Sequence, residues 1–366
     1  MVGLISVLLG LAGLTLLLHF LARLFRVPVA SRLFGEMPWL PAEWSGPLTE
    51  GENVRFAAQD GVWLQGTYLK TTSSRRLGVI AFCHELNGDR WSARPYTADL
   101  RRRGFDIFTF DFRNHGCSER VAGYEPMPWV TINELYDVRA AIDYLCSRGD
   151  ADANGIGLMG ISRGGTAALC AASRDGRVRV LAVDGPVPTE QLQLHRTRGM
   201  LEHFLRPLRL LAIVPDAVLR SVGTWSKRFV GWRCHCALVN VDEAARRIEQ
   251  PVLLIHGRHD AHVPLEAVLS LRSLMSRRTR LWVVPHARHN RAIATAPEEY
   301  RRRLARFFCR GLRTVIHVDG AHSGVVAHAN GARANGLVAT ATVAERQIAI
   351  KETARFAEAG EHAISR

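Results

Sequence analysis

The distribution of apolar and polar positions divides the chain into stretches of different character. Val2 to Ala22 is a run of 21 residues without formal charge, rich in Leu, Ile and Val. At 1.5 Å per residue, a helix over this run spans roughly 30 Å, the thickness of a bilayer's hydrocarbon core. No basic residue precedes it, it is longer than a signal-peptide core, and no small-x-small cleavage site follows. A transmembrane anchor over residues 1–26 is expected, with a cleaved signal peptide as the competing reading. Arg23, Arg26 and Arg32 follow the run. Flanking positive charge stays on the cytoplasmic side, so the bulk of the chain is expected there. Residues 27–50 hold four prolines with Trp39 and Trp44. They read as a linker near the membrane interface.

From Asn53 the period changes to two. Val54-Arg55-Phe56-Ala57 and Trp63 to Leu69 alternate around Asp60-Gly61, a hairpin signal. Apolar, β-rich runs follow at 77–83, 105–110, 155–159, 178–183, 251–256 and 279–284. Helical stretches at 93–103, 131–147, 163–174, 265–276 and 297–310 separate or follow them. Strands alternating with helices predict a mostly parallel sheet covered on both faces, an α/β architecture. Residues 187–245 exceed a normal crossover and are expected to form a helical lid inserted after the sixth strand, with Met200, Leu201, Phe204, Leu205, Leu208, Leu211 and Ile213 among arginines. Residues 313–366 become rich in Ala, Gly and His and read as a low-complexity tail, with one helix expected near 343–358.

Charge adds one fact to this picture. The formal net charge is +14, and only three of the 48 basic residues are lysines (Lys70, Lys227, Lys351). The arginines are spread along the chain without interleaved aromatics or a recognised module, so no nucleic-acid partner is expected. Seven irregularly spaced cysteines, most in apolar surroundings, fit free thiols in a reducing compartment. Cys234-His235-Cys236 is too tightly spaced for paired thiolate ligands, so neither metal nor cofactor is expected.

The chemistry concentrates around Gly160-Ile161-Ser162-Arg163-Gly164. A short apolar strand ends there and a helix-forming run begins. A serine on such a turn needs small neighbours two positions either side, and its Oγ then stands out of the sheet. Serine needs a base, and the base needs an orienting carboxylate. Asp260 lies just past a later strand, and His289 just past the one after it, with His286 in reserve. Asp184, which also ends a strand, is the rival acid. Two backbone N–H groups must hold a developing oxyanion. One is expected from Arg163 and the other from the loop His84-Glu85-Leu86-Asn87-Gly88.

Over roughly residues 51–312 the sequence resembles the α/β-hydrolase superfamily. Asp111-Phe112-Arg113-Asn114-His115-Gly116-Cys117-Ser118 is similar to the family's D-x-R-x-H-G-x-S segment. Gly257-x-x-Asp260-x-x-Val263-Pro264 is similar to its acid loop, and Asp60-Gly61-Val62-x-Leu64-x-Gly66 to its leading hairpin. The resemblance implies the α/β-hydrolase fold, with Leu86 as the second oxyanion residue. One position departs: Glu85 stands where the family has glycine. The expected function is hydrolysis of a carboxylic ester or thioester, of an apolar or lipid-like acyl group, by Ser162, His289 and Asp260. A peptidase or acyltransferase on the same fold and a non-catalytic membrane-bound scaffold are the alternatives. The partners expected are a small-molecule ester and, through the anchor, a membrane; oligomeric state is open.

Overall fold

Alternation around Asp60-Gly61 forms the expected hairpin. Strand β1 (Glu52–Ala57) pairs antiparallel with β2 (Trp63–Leu69), with Gly61 at φ +87° in the turn. The structure is a computed structural model that describes residues 50–152, 155–205 and 216–313, apart from isolated positions nearer the N-terminus. The expected anchor (1–26), linker (27–50) and tail (313–366), with its helix near 343–358, fall outside these residues save a few positions. Among the described residues no helix is long and apolar enough to cross a membrane.

The described strands make one eight-stranded sheet in the order β1-β2-β4-β3-β5-β6-β7-β8. Here β3 is Gly78–Cys83, β4 Phe105–Phe110, β5 Ile156–Ile161, β6 Val178–Asp184, β7 Val252–Gly257 and β8 Thr279–Val284. All pairings from β4 through β8 are parallel. The central strands are buried at every position, and mostly apolar, because both faces are covered. Alternate residues supply the two faces. Val79, Ala81, Leu158, Leu181, Val183, Val252 and Leu254 pack with helices α2 (Ile132–Ser147) and α3 (Ser162–Ala172). Ile80, Phe82, Met159, Val180, Ala182, Leu253 and Ile255 pack on the other face with α1 (Ala93–Arg102).

The stretch expected as a lid carries three described helices, α4 (Glu190–Leu205), α5 (Asp216–Arg233) and α6 (Val241–Arg247). They differ in placement. Val241, Ala244, Ala245 and Ile248 follow helical spacing and lie in the main core, so α6 is a layer helix beside α3. Its first turn is capped by the Asn240 side chain. α4 and α5 pack on each other so closely that a Cβ at Gly223 would lie 1.7 Å from Gln193 Nε2. Leu192 of α4 and Val230 of α5 join Met127, Trp129, Val187 and Val263 in a separate apolar cluster with Val268, which lies on α7 (Leu265–Leu274). The remaining helices are α8 (Ala292–Thr295) and α9 (Pro297–Arg313), which pack on the face that α1 covers.

Candidate active site

Strand β5 runs directly into α3, and Ser162 is the junction residue at φ +50°, a conformation side chains avoid unless the surroundings impose it. The imposing feature is close backbone packing. A Cβ at Gly164 would lie 2.0 Å from the His84 carbonyl oxygen, and one at Gly160 would lie 2.5 Å from Gly165 Cα. No side chain fits at either position. The same approach presses the loop after β3 against the first turn of α3.

Ser162, His289 and Asp260 form one continuous chain. Ser162 Oγ is 2.9 Å from His289 Nε2, and His289 Nδ1 is 2.6 Å from Asp260 Oδ2. All three residues are buried. A carboxylate only accepts, so Nδ1 carries the proton and Nε2 is left to accept from the serine hydroxyl. The other carboxylate oxygen, Asp260 Oδ1, accepts from the backbone N–H groups of His262 (2.8 Å) and Val263 (2.9 Å). Burial pushes the Asp260 pKa up, but the hydrogen bond and charge of His289 and the Val263 N–H outweigh it and hold the group below the ordinary carboxylate range.

The alternatives named from the sequence have other partners. His286 turns its ring edge-on to His259 at 5.4 Å. Asp184 ends β6 but accepts from Tyr300 Oη at 3.0 Å, and burial pushes its pKa up to about 7. Glu85 is also turned inward. Burial raises its pKa, and among the described residues its Oε2 has no hydrogen-bond partner.

Several supporting contacts of the segments singled out in the sequence were not legible there. His84 Nε2 accepts from the Phe112 N–H at 3.1 Å while its Nδ1 lies 2.7 Å from the Glu85 carbonyl oxygen. His115 Nε2 lies 2.5 Å from the Leu86 carbonyl oxygen, and its Nδ1 lies 2.9 Å from that of Arg113. Both histidines therefore tie the loop carrying Leu86 to the segment after β4. Burial, reinforced by the Arg163 charge, pushes the His115 pKa down to about 4, so at neutral pH the ring holds one N–H between two carbonyls. The segment itself is rigid: Arg113 pairs with buried Asp137 and with Asp60, and Asp111 pairs with Arg90. The Arg163 side chain points away from the serine and pairs with Glu134 at 3.1 Å. Glu134 also closes the capping box of α2 with Thr131. That Thr131-x-x-Glu134 spacing was visible in the sequence; its arginine partner was not.

Comparison with known proteins agrees with this architecture. The model of the Alpha/beta hydrolase family matches residues 80–303. The uncharacterized protein YfhR of Escherichia coli O157:H7 is 23% identical over 288 residues, 77% of this chain and 85% of its own. Thiohydrolase aneE of Aspergillus aculeatus is 32% identical over a shorter stretch of 130 residues, 35% of this chain and 39% of its own. Among solved structures, the Pyrococcus furiosus esterase Pf2001 superposes with a TM-score of 0.55 at 25% identity, covering 76% of this chain and 96% of that one. With the family match spanning more than half of its length, the chain belongs to the alpha/beta hydrolase family.

Proposed function

We propose that the chain is a serine hydrolase that cleaves a carboxylic ester or thioester through an acyl-enzyme. The observation that carries this is the Ser162–His289–Asp260 chain at 2.9 and 2.6 Å, with the serine on a strained strand-to-helix turn. Ser162 Oγ attacks the acyl carbonyl as His289 Nε2 takes the hydroxyl proton, and Asp260 steadies the imidazolium. The backbone N–H groups of Arg163 and Leu86 bind the oxyanion. Collapse of the tetrahedral adduct releases the alcohol or thiol, which leaves with the proton held by His289. Water, deprotonated by the same histidine, then attacks the acyl-serine and frees the acid. A fluorophosphonate probe should label the wild-type chain and not Ser162→Ala. A folded wild type that resists the probe would count against the reading.

The acyl group proposed is apolar or lipid-like. Met127, Val187, Leu192 and Val263 supply apolar surface close to the acid loop, and α4 and α5 would act over it as the lid. The likeness to a protein named a thiohydrolase favours including thioesters. Turnover across acyl chain lengths, as oxygen esters and as matched thioesters, separates these substrates. The uncharged run Val2–Ala22, with Arg23, Arg26 and Arg32 after it, supports a single-pass anchor that holds the hydrolase domain on the cytoplasmic side. A C-terminal reporter active only outside the cytoplasm would reverse that orientation.

A further inference from the structure

Helix α5 has two separate apolar faces. Leu219, Gly223, Ser226 and Val230 are buried against the rest of the protein. Val218, Trp225 and Trp232 follow at intervals of seven residues, and they remain 49%, 52% and 68% exposed. At 3.6 residues per turn this second stripe lies about 120° around the helix from the first. Two tryptophans and a valine in one line on a solvent-facing helix are unlike the scattered single exposures of an ordinary surface.

The charge around the ridge points to what covers it. The Arg228 guanidinium lies over the Trp225 ring at 5.7 Å. Arg233, less than a quarter-turn from the stripe on its other side, is also exposed on α5. The one acidic residue of the helix, Asp216, is paired with Arg198 of α4. The helix thus presents net positive charge beside indole rings, within a chain of formal net charge +14 whose excess is arginine. Indole rings favour the headgroup level of a bilayer, and arginine binds anionic headgroups. In sequence, the ten residues leading into α5 (206–215) add Leu208, Leu210, Leu211, Ile213 and Val214 with Arg206 and Arg209 and no acid. The 21-residue uncharged run near the N-terminus is a further segment suited to lipid.

We propose that the Val218–Trp225–Trp232 face of α5 docks on an anionic phospholipid surface and lies flat in its headgroup region. Because the buried face of α5 reaches, through Val230, the cluster containing Val263, docking would hold the candidate active site close to the bilayer. The proposal does not depend on the hydrolytic reading, and neither does its test. The full chain is placed in nanodiscs of phosphatidylcholine alone, in nanodiscs containing phosphatidylglycerol, and in detergent. Hydrogen–deuterium exchange is then read over 216–233, and tryptophan fluorescence is read with brominated acyl chains.

The expected result is slower exchange over α5 in the phosphatidylglycerol discs, reversed by high salt, with quenching by the brominated lipid. Trp225→Gln/Trp232→Gln should lose that part of the quenching, and Arg228→Gln/Arg233→Gln should lose the preference for anionic lipid. All four positions are exposed, and unchanged exchange over α3 confirms that the variants fold. Equal protection in all three media would mean that the chain's own segments cover the face. Protection that rises with protein concentration in detergent would mean that a second copy covers it. Either outcome overturns the proposal.

Discussion

Replacing Asp260 by asparagine tests the site through the proton on His289. Asp260 Oδ1 accepts two backbone N–H groups, from His262 and Val263, and Oδ2 accepts from His289 Nδ1 at 2.6 Å. In Asp260→Asn only one side-chain atom can still accept. The two fixed N–H donors claim the oxygen, because an amide NH2 turned toward them would leave three donors without an acceptor. The NH2 therefore faces His289 Nδ1, which must become an acceptor. Its proton moves to Nε2, where it points at Ser162 Oγ, and the base is lost. The variant keeps its volume and its loop hydrogen bonds, so the fold should survive while turnover falls. A wrong-tautomer triad loses about 10⁴ in kcat. At about 1.4 kcal/mol per decade this is roughly 5 kcal/mol of transition-state stabilisation. The assay is hydrolysis of a chromogenic short-chain ester, with thermal unfolding measured in parallel. A folded Asp260→Asn protein within tenfold of wild-type turnover would refute the reasoning, most directly if Asp184→Asn were silent instead.

Three further outcomes follow from the same geometry. His115→Ala removes the ring that bridges the Leu86 and Arg113 carbonyls, so kcat should fall about tenfold, short of the 10²–10³ for deleting an oxyanion donor outright; KM should barely move, and a rise in KM alone would contradict the role. Asp184 is an acid whose folded pKa is raised to about 7, so the fold favours its proton. Its cost to stability is absent well below pH 4, grows as pH rises from about 4 toward 7 and then levels off, with a ceiling of about 4 kcal/mol. Asp184→Asn should therefore gain stability over wild type as pH rises from 4.5 to 8, and a constant difference in urea titrations would dispose of this account. Arg113→Met strips the partner from buried Asp137, whose pKa burial already pushes up to about 6, and should lower unfolding stability by about 3–5 kcal/mol with only indirect effects on catalysis.

The sheet was readable because its strands are buried on both faces and show as short apolar runs. The runs at 105–110 and 279–284 coincide with β4 and β8, and the others differ from their strands by one or two residues at one or both ends. Helix α6 was hidden by its length and position. Seven residues with two arginines, lying inside an arginine-rich insertion, read as part of the lid. Only contact with the sheet layer separates it from α4 and α5. The short helix α8 was missed for a similar reason, since four residues carry too little periodicity to register.

Local pattern by itself determined the strand-to-helix turn at Ser162, because glycines at 160 and 164 are a covalent property of the chain and no other side chain fits that turn. It also determined the order serine, acid, histidine along successive strand ends. What only the tertiary structure decided was which of the competing groups meet. Asp184 and Asp260 both end strands, and His286 and His289 share one loop. Tyr300, 116 residues from Asp184, satisfies that carboxyl, while two backbone N–H groups aim Asp260 at His289. The ties from His84 and His115 to the Leu86 loop were decided the same way. Hydrogen bonds between residues distant in sequence depend on where the sheet order places the loops, and neither period nor spacing along the chain records that placement.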